Sequence, residues 1–255
     1  RLNYGVGRAF GSAGYALAGY LLGLICNRYG FAVTVPYAAV MAALLLIALL
    51  LWPAPPTLVR ADAPVAVKDA GFFRRYRRFS LFLTGCLLNM TAYCASCSYL
   101  VRIVEDLGGG SGELGVATMI TALCEIPTVL LSLSLNKRFG SGRLMNLAAA
   151  LLSVKMLLIM LAPSIPFLYG AETLQLLSYS LYLSITVYYA NALMQERDRL
   201  MGQAATTLVQ TAGSALGALI GGLLLDAAGI SGFRIFCMVA SCAGSAIMIC
   251  GTEKV

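Results

Sequence analysis

Residues 31–52 read FAVTVPYAAVMAALLLIALLLW. The stretch contains no charged residue, and as a helix it is about 33 Å long, enough to cross a hydrocarbon core of about 30 Å. Similar apolar runs fall at 9–26, 79–101, 113–135, 143–162, 165–190, 203–225 and 233–251, making eight predicted spans with the first one quoted. They are much longer than the alternating strands of a membrane barrel, and backbone in lipid must satisfy its own hydrogen bonds. Helices are the remaining choice. The predicted fold class is therefore all-α, a polytopic transmembrane helical bundle.

The composition agrees. Of 255 residues, 60% are hydrophobic and only 11% charged, and the mean hydropathy is +0.83. A polar surface could not cover so apolar a chain in water. The net charge of +7 does not point to nucleic acid, because the basic residues sit in short intervals between apolar runs and form no continuous patch. The eight cysteines fall almost wholly inside apolar runs, where they act as small hydrophobes. Cys94-Ala95-Ser96-Cys97 has no second such pair to complete a metal site, and the chain has no histidine. No cofactor is expected. The motifs of phosphate-binding loops, zinc hydrolases and serine hydrolases are missing as well, so an enzyme is disfavoured.

The interval from Pro53 to Arg78 is the longest polar one and carries four prolines, then Arg74-Arg75-Tyr76-Arg77-Arg78. It reads as a linker between two helix groups. Lys and Arg counts orient the chain, since loops rich in them stay cytoplasmic. Arg60, Lys68, Arg74, Arg75, Arg77 and Arg78 follow the second span; Lys137, Arg138 and Arg143 the fourth; Arg197 and Arg199 the sixth; Lys254 the eighth. The opposite side has Arg28, Arg102 and Arg234. A multi-pass protein of the cell membrane with a cytoplasmic C-terminus is expected. Small residues four apart, Gly19-Gly23 and Gly213-Gly217-Gly221, predict close helix packing, and Pro127 predicts a kink in the fourth span.

Charges at bilayer depth are costly and need a partner or a wet cavity. Glu125, Lys155 and Glu172 lie deep in the fourth, fifth and sixth spans, and Arg8 at the start of the first. One base and two acids invite an internal ion pair, which either fixes helix register or serves a solute or proton site. Along the sixth span, Glu172, Gln175, Tyr179, Tyr182, Thr186 and Tyr189 recur at helical spacing, and Asn89, Tyr93 and Ser96 do so on the third. Such stripes line an aqueous cavity suited to a polyhydroxylated or heterocyclic solute, or else glue helices together.

The stretch Gly7-Arg8-Ala9-Phe10-Gly11-Ser12-Ala13-Gly14-Tyr15 resembles the fifth-helix motif of the oligosaccharide/proton symporter group of the major facilitator superfamily, the group typified by lactose permease. The resemblance implies sugar binding by Arg8 and stacking of a sugar ring on Tyr15. Interval 53–78 falls at that family's central cytoplasmic loop, and Leu135-Asn136-Lys137-Arg138-Phe139-Gly140-Ser141-Gly142-Arg143 resembles the loop joining its eighth and ninth helices. The eight spans would then be helices five to twelve of twelve: 1–52 ends one six-helix bundle, 53–78 is the central loop, and 79–255 is the other bundle. The missing N-terminal helices of the same protein, the lipid bilayer, a small-molecule solute and protons or another coupling ion are the implied partners.

By the same resemblance, Glu125 in Glu-Ile-Pro accepts hydrogen bonds from sugar hydroxyls, and Lys155 stands where the family has an arginine near its proton site. Gln175 and Ser178 replace the family's histidine and proton-carrying glutamate, and Cys94 replaces a charged partner, so its usual proton relay is absent. Coupling would fall to Glu125 or Glu172, biased by Lys155. The expected substrate-binding set is Arg8, Tyr15, Asn89, Tyr93, Glu125, Gln175 and Tyr179; the coupling set is Glu125, Lys155 and Glu172. The expected function is proton-coupled symport of a small polar solute such as a sugar or nucleoside by alternating access. An exporter of drugs or amphiphiles and a non-transporting sensor or scaffold are the alternatives.

Overall fold

The computed structural model describes residues 4–51 and 71–253, and side chains from Phe10 onward in the first of these stretches. The expected linker between the second and third spans lies mostly outside the described residues, as does Lys254. Every described element is helical. Helix α1 (Tyr4–Tyr29) leads through a short 3-10 turn to α2 (Thr34–Leu51), the quoted apolar stretch. No residue of α2 is buried, and it is tied to α1 by the Tyr37 hydroxyl, which donates to the Ala18 carbonyl at 3.1 Å. The described end of the linker is helical: it holds one-turn helix α3 (Phe72–Arg75) and the first two residues of α4 (Arg77–Ser98), and α5 (Leu100–Asp106), α6 (Ser111–Phe139) and α7 (Ser141–Met160) follow. Gly140, with φ +78°, makes the tight turn from α6 into α7, a backbone state that side chains with a Cβ resist.

The predicted sixth span is not one helix. It is built from α8 (Ile165–Thr173), a 3-10 turn over Leu174–Leu176, and α9 (Tyr179–Leu193), with Ser178 at φ −100° and ψ −101° between them. The expected single polar face over Glu172–Tyr189 is therefore divided. The break is stabilised from both sides: Gln175 is held by side chains of three other helices, and the Thr128 hydroxyl donates to the Leu176 carbonyl that the broken helix releases.

The last helix, α10 (Arg199–Gly251), is two passes interrupted at Gly229, whose φ of +65° and ψ of −168° reverse the chain. Contacts with α4 establish the reversal. A Cβ on Gly213 would meet Met90, and one on Gly221 would meet Tyr99, so 199–228 runs parallel to α4. Phe233 meets Tyr99, Ser245 meets Asn89, and Gly251 meets Phe82, so 230–251 runs back along it. Close approach is what makes this layer. A Cβ at Gly217 would lie 2.6 Å from the Thr91 carbonyl oxygen. Helices α1 and α6 meet the same way, a Cβ at Gly23 falling 2.8 Å from the Gly115 Cα.

Ion pairs mark the two ends of the bundle. Arg75 Nη1 lies 2.9 Å from Asp198 Oδ2, which also accepts from the Tyr76 hydroxyl at 3.0 Å, so the linker and the loop after the sixth span share one end. Arg234 Nη2 lies 2.9 Å from Asp106 Oδ2, joining the loops after the third and seventh spans at the other. This is the alternation that the basic residues predict.

Candidate functional site

Between α1 on one side and α4, α6, α7 and α8 on the other is a cavity of about 470 Å³, large enough for a mono- or disaccharide-sized ligand. Its inner wall is a connected set of charged and polar groups. Lys155 Nζ lies 2.7 Å from Glu172 Oε2, both side chains almost wholly buried, and donates to Gln175 Oε1 at 2.6 Å. Because the Gln175 oxygen faces the ammonium, its amide nitrogen faces away. It donates to the Tyr93 hydroxyl oxygen at 2.9 Å and to Glu125 Oε1 at 3.0 Å. The Thr121 hydroxyl donates to Glu172 Oε2 at 2.8 Å, and the Ser12 hydroxyl reaches Glu125 Oε2 from α1 at 3.4 Å. One network thus joins five helices and a 3-10 turn.

The chemistry of the wall is uneven. Lys155 is consumed by Glu172 and Gln175, a pairing that excellent geometry makes tolerable in a low-dielectric interior. Glu125, half-buried, keeps a carboxylate oxygen toward the cavity, with Ser12 as its long contact. It is suited to accept hydrogen bonds from hydroxyl groups of a solute. Tyr93 also lines the cavity. Its ring stacks on Tyr179 at a centroid distance of 4.2 Å and an interplanar angle of 16°, and the Lys155 ammonium lies 5.6 Å from its centroid.

Of the residues expected at a site, Tyr15, Tyr93, Glu125, Lys155 and Glu172 line this cavity. Gln175 sits behind them, fully buried, and Tyr179 backs Tyr93. The side chain of Arg8 lies outside the described residues, while its backbone is in α1. Asn89 is elsewhere. Its amide donates to Ser245 at 2.6 Å and accepts from Ser241 at 2.9 Å, and Ser153 closes this fully buried knot between α4, α7 and α10. One turn further along the stripe, at Tyr93, α4 meets the cavity instead. Tyr182 and Tyr189 are core residues, the latter packed on Phe82 at 4.9 Å.

Thr118 and Thr121 also line the cavity and were not singled out from the sequence. Their spacing to Glu125, at steps of three and four, puts all three on one face of α6 and was the available signal.

The helical passes and the polar internal cavity define a multi-pass α-helical membrane protein. More specifically, the chain belongs to the MFS_1 like family, whose model matches residues 1–236. It is 29% identical over 251 residues to the maltose permease of Geobacillus stearothermophilus, a match over 97% of this chain and 62% of that protein. It is 27% identical over 172 residues to a Deinococcus radiodurans protein named provisionally as a sugar efflux transporter, over 66% of this chain and 43% of that one. The chain thus spans less than two thirds of the length of either relative. The crystal structure of the E. coli fucose:proton symporter superposes with a TM-score of 0.58 at 19% identity, covering 88% of this chain and 56% of the symporter. The shared architecture is the major facilitator fold, and the resemblance to that superfamily drawn from the motifs holds.

Proposed function

We propose that the protein is a secondary transporter that moves a small polar solute, a sugar or nucleoside, by alternating access and with proton coupling. The observation that carries this reading is the single cavity in which half-buried Glu125 and the buried Lys155–Glu172 pair meet a residue pair, Ser12 and Tyr15, from α1. Ionisable groups at membrane depth are retained mainly where they face such a cavity. In this reading 1–52 ends one six-helix bundle, 53–78 is the central cytoplasmic loop and 79–255 is the second bundle, with the C-terminus cytoplasmic. Arg8, Tyr15, Tyr93 and Glu125 contact the solute. Gln175 orients Glu125, Tyr179 backs the Tyr93 platform, and Glu125 or Glu172 carries the proton under the influence of Lys155.

Maltose is the first probe to use, because the relative from Geobacillus is named for it. Proteoliposomes holding a pH-sensitive dye should take up labelled maltose with a change in lumenal pH. Glu125→Gln should insert normally yet lose accumulation. Flux without any pH change would remove coupling, and full accumulation by the variant would remove Glu125 from the mechanism.

A second reading, export of the solute, draws on the Deinococcus relative's name. Right-side-out and inverted vesicles distinguish the two: accumulation only in inverted vesicles under an imposed gradient supports export.

A further inference from the structure

The arginine run at the start of the third span is only partly explained by topology. Phe72 is buried to 2% exposure, which anchors α3 to the helix bundle, and Phe73 beside it is 56% exposed. Their rings meet edge to face at 5.2 Å. The next turn is fastened as well, since Asp198 takes both the Arg75 guanidinium at 2.9 Å and the Tyr76 hydroxyl at 3.0 Å. The Tyr76 oxygen in turn accepts from the backbone N–H of Gln195 at 3.3 Å. The segment is thus a fixed part of the bundle surface.

What it holds there is charge. Arg74, Arg77 and Arg78 are exposed and form no ion pair with a described residue. Arg197 and Arg199, in the adjoining loop, engage Asp198 and Glu196 only at 3.8 and 3.7 Å. Lys137, Arg138 and Arg143 lie at the same end of the bundle. Asp198 is occupied by Arg75, and Glu253, at the close of α10, enters no ion pair with these arginines. Cationic guanidinium groups beside an exposed aromatic ring, on a segment held at the membrane boundary, match one chemistry: phosphodiester headgroups above acyl chains. Each guanidinium offers a donor fork to phosphate oxygens, and the ring enters the layer below them.

We propose that α3 and the first turn of α4 form a preorganised seat for anionic phospholipid headgroups, with Arg74, Arg77 and Arg78 holding the phosphates and Phe73 inserted among the acyl chains. Because Phe72 and the Asp198 contacts order the segment in advance, lipid binding loses little conformational freedom. The seat is the last part of the 53–78 linker and is joined through Asp198 to the loop after the sixth span, so a bound lipid fastens both to the bilayer surface.

The test uses the protein in neutral detergent micelles, with phosphatidylglycerol or phosphatidylcholine added at equal mole fraction and retained lipid counted by native mass spectrometry. Three cationic contacts predict a preference for phosphatidylglycerol of roughly tenfold to a hundredfold, weakened by salt. Arg74→Gln/Arg77→Gln/Arg78→Gln should reduce it by about fivefold or more, and the same three positions changed to Lys, which keep the charge and lose the fork, should fall between the two. The control Arg102→Gln, at the opposite end, should leave it unchanged. Retention of the full preference by the triple Gln variant overturns the proposal, as does equal loss in the control. Competition by glycerol phosphate as strong as by the lipid would make this a soluble-phosphate site and overturn the membrane seat. Thermal unfolding without added lipid, measured alongside, separates lost binding from lost folding.

Discussion

Removing Lys155 tests the site most directly. In Lys155→Met a side chain of similar length and apolar character fills the space, while Glu172, buried to 4% exposure, is left with Thr121 as its remaining partner. An ion pair at close range attracts by about 4 kcal/mol at an effective dielectric of about 20. Breaking a buried pair from one side costs about 3–5 kcal/mol, because the surviving charge stays desolvated. Gln175 also loses the ammonium that orients its amide, which adds about 1 kcal/mol. For a chain of this size each kcal/mol lowers Tm by roughly 2–4 °C, so the variant should unfold on the order of 10 °C below the parent. Thermal unfolding in detergent micelles measures this. The second arm is the double variant Lys155→Met/Glu172→Leu, in which both charges are gone. It should regain most of the loss, since replacing a whole buried pair by apolar groups is often nearly neutral. A single variant within about 1 kcal/mol of the parent, or a double variant as unstable as the sum of the two singles, would refute the buried-pair reasoning.

Other perturbations separate structural from site residues. Asn89→Ala should destabilise by about 1–3 kcal/mol through the buried hydrogen bonds to Ser241 and Ser245 that it removes, yet leave maltose affinity unchanged in equilibrium binding; a selective loss of affinity would return Asn89 to the site. Tyr93→Leu should weaken maltose binding more than Tyr179→Leu, because Tyr93 faces the cavity and Tyr179 only backs it; the reverse order in the same assay would contradict the platform. Gly217→Val drives a side chain into the Thr91 carbonyl, whereas a Cβ at Gly11 meets nothing within 4 Å. Expression followed by size-exclusion chromatography should show aggregation for the former only, and equal behaviour of the two would argue against close α4–α10 packing.

Much of the architecture was legible because membranes impose a simple rule on sequence. The apolar length of 31–52 and its counterparts predicts the passes, and the glycines at 19, 23, 213 and 217 predict where helices approach. The broken sixth span was not legible, because hydropathy does not distinguish a continuous helix from one interrupted by a buried turn. Gln175 and Ser178 stand at the interruption, but the bonds that stabilise it come from Thr128, Lys155, Glu125 and Tyr93, distant in sequence. The site divides similarly. Burying ionisable groups in lipid is costly enough to mark Glu125, Lys155 and Glu172 from their positions inside apolar runs, whereas helical spacing placed Asn89 with Tyr93 on one face without saying what each would meet.

What the sequence determined by itself is the solvent and the element type: runs without charge, long enough to span a bilayer, leave the helix as the way to satisfy the backbone. Charge distribution along the chain likewise determined which loops share an end. Pairing was decided only in three dimensions. Lys155 could have met Glu125 or Glu172, and it takes Glu172 directly at 2.7 Å while reaching Glu125 through Gln175. That choice depends on how five helices and a turn converge, and hydrogen bonding is too short-ranged and directional to be read from spacing along any one of them.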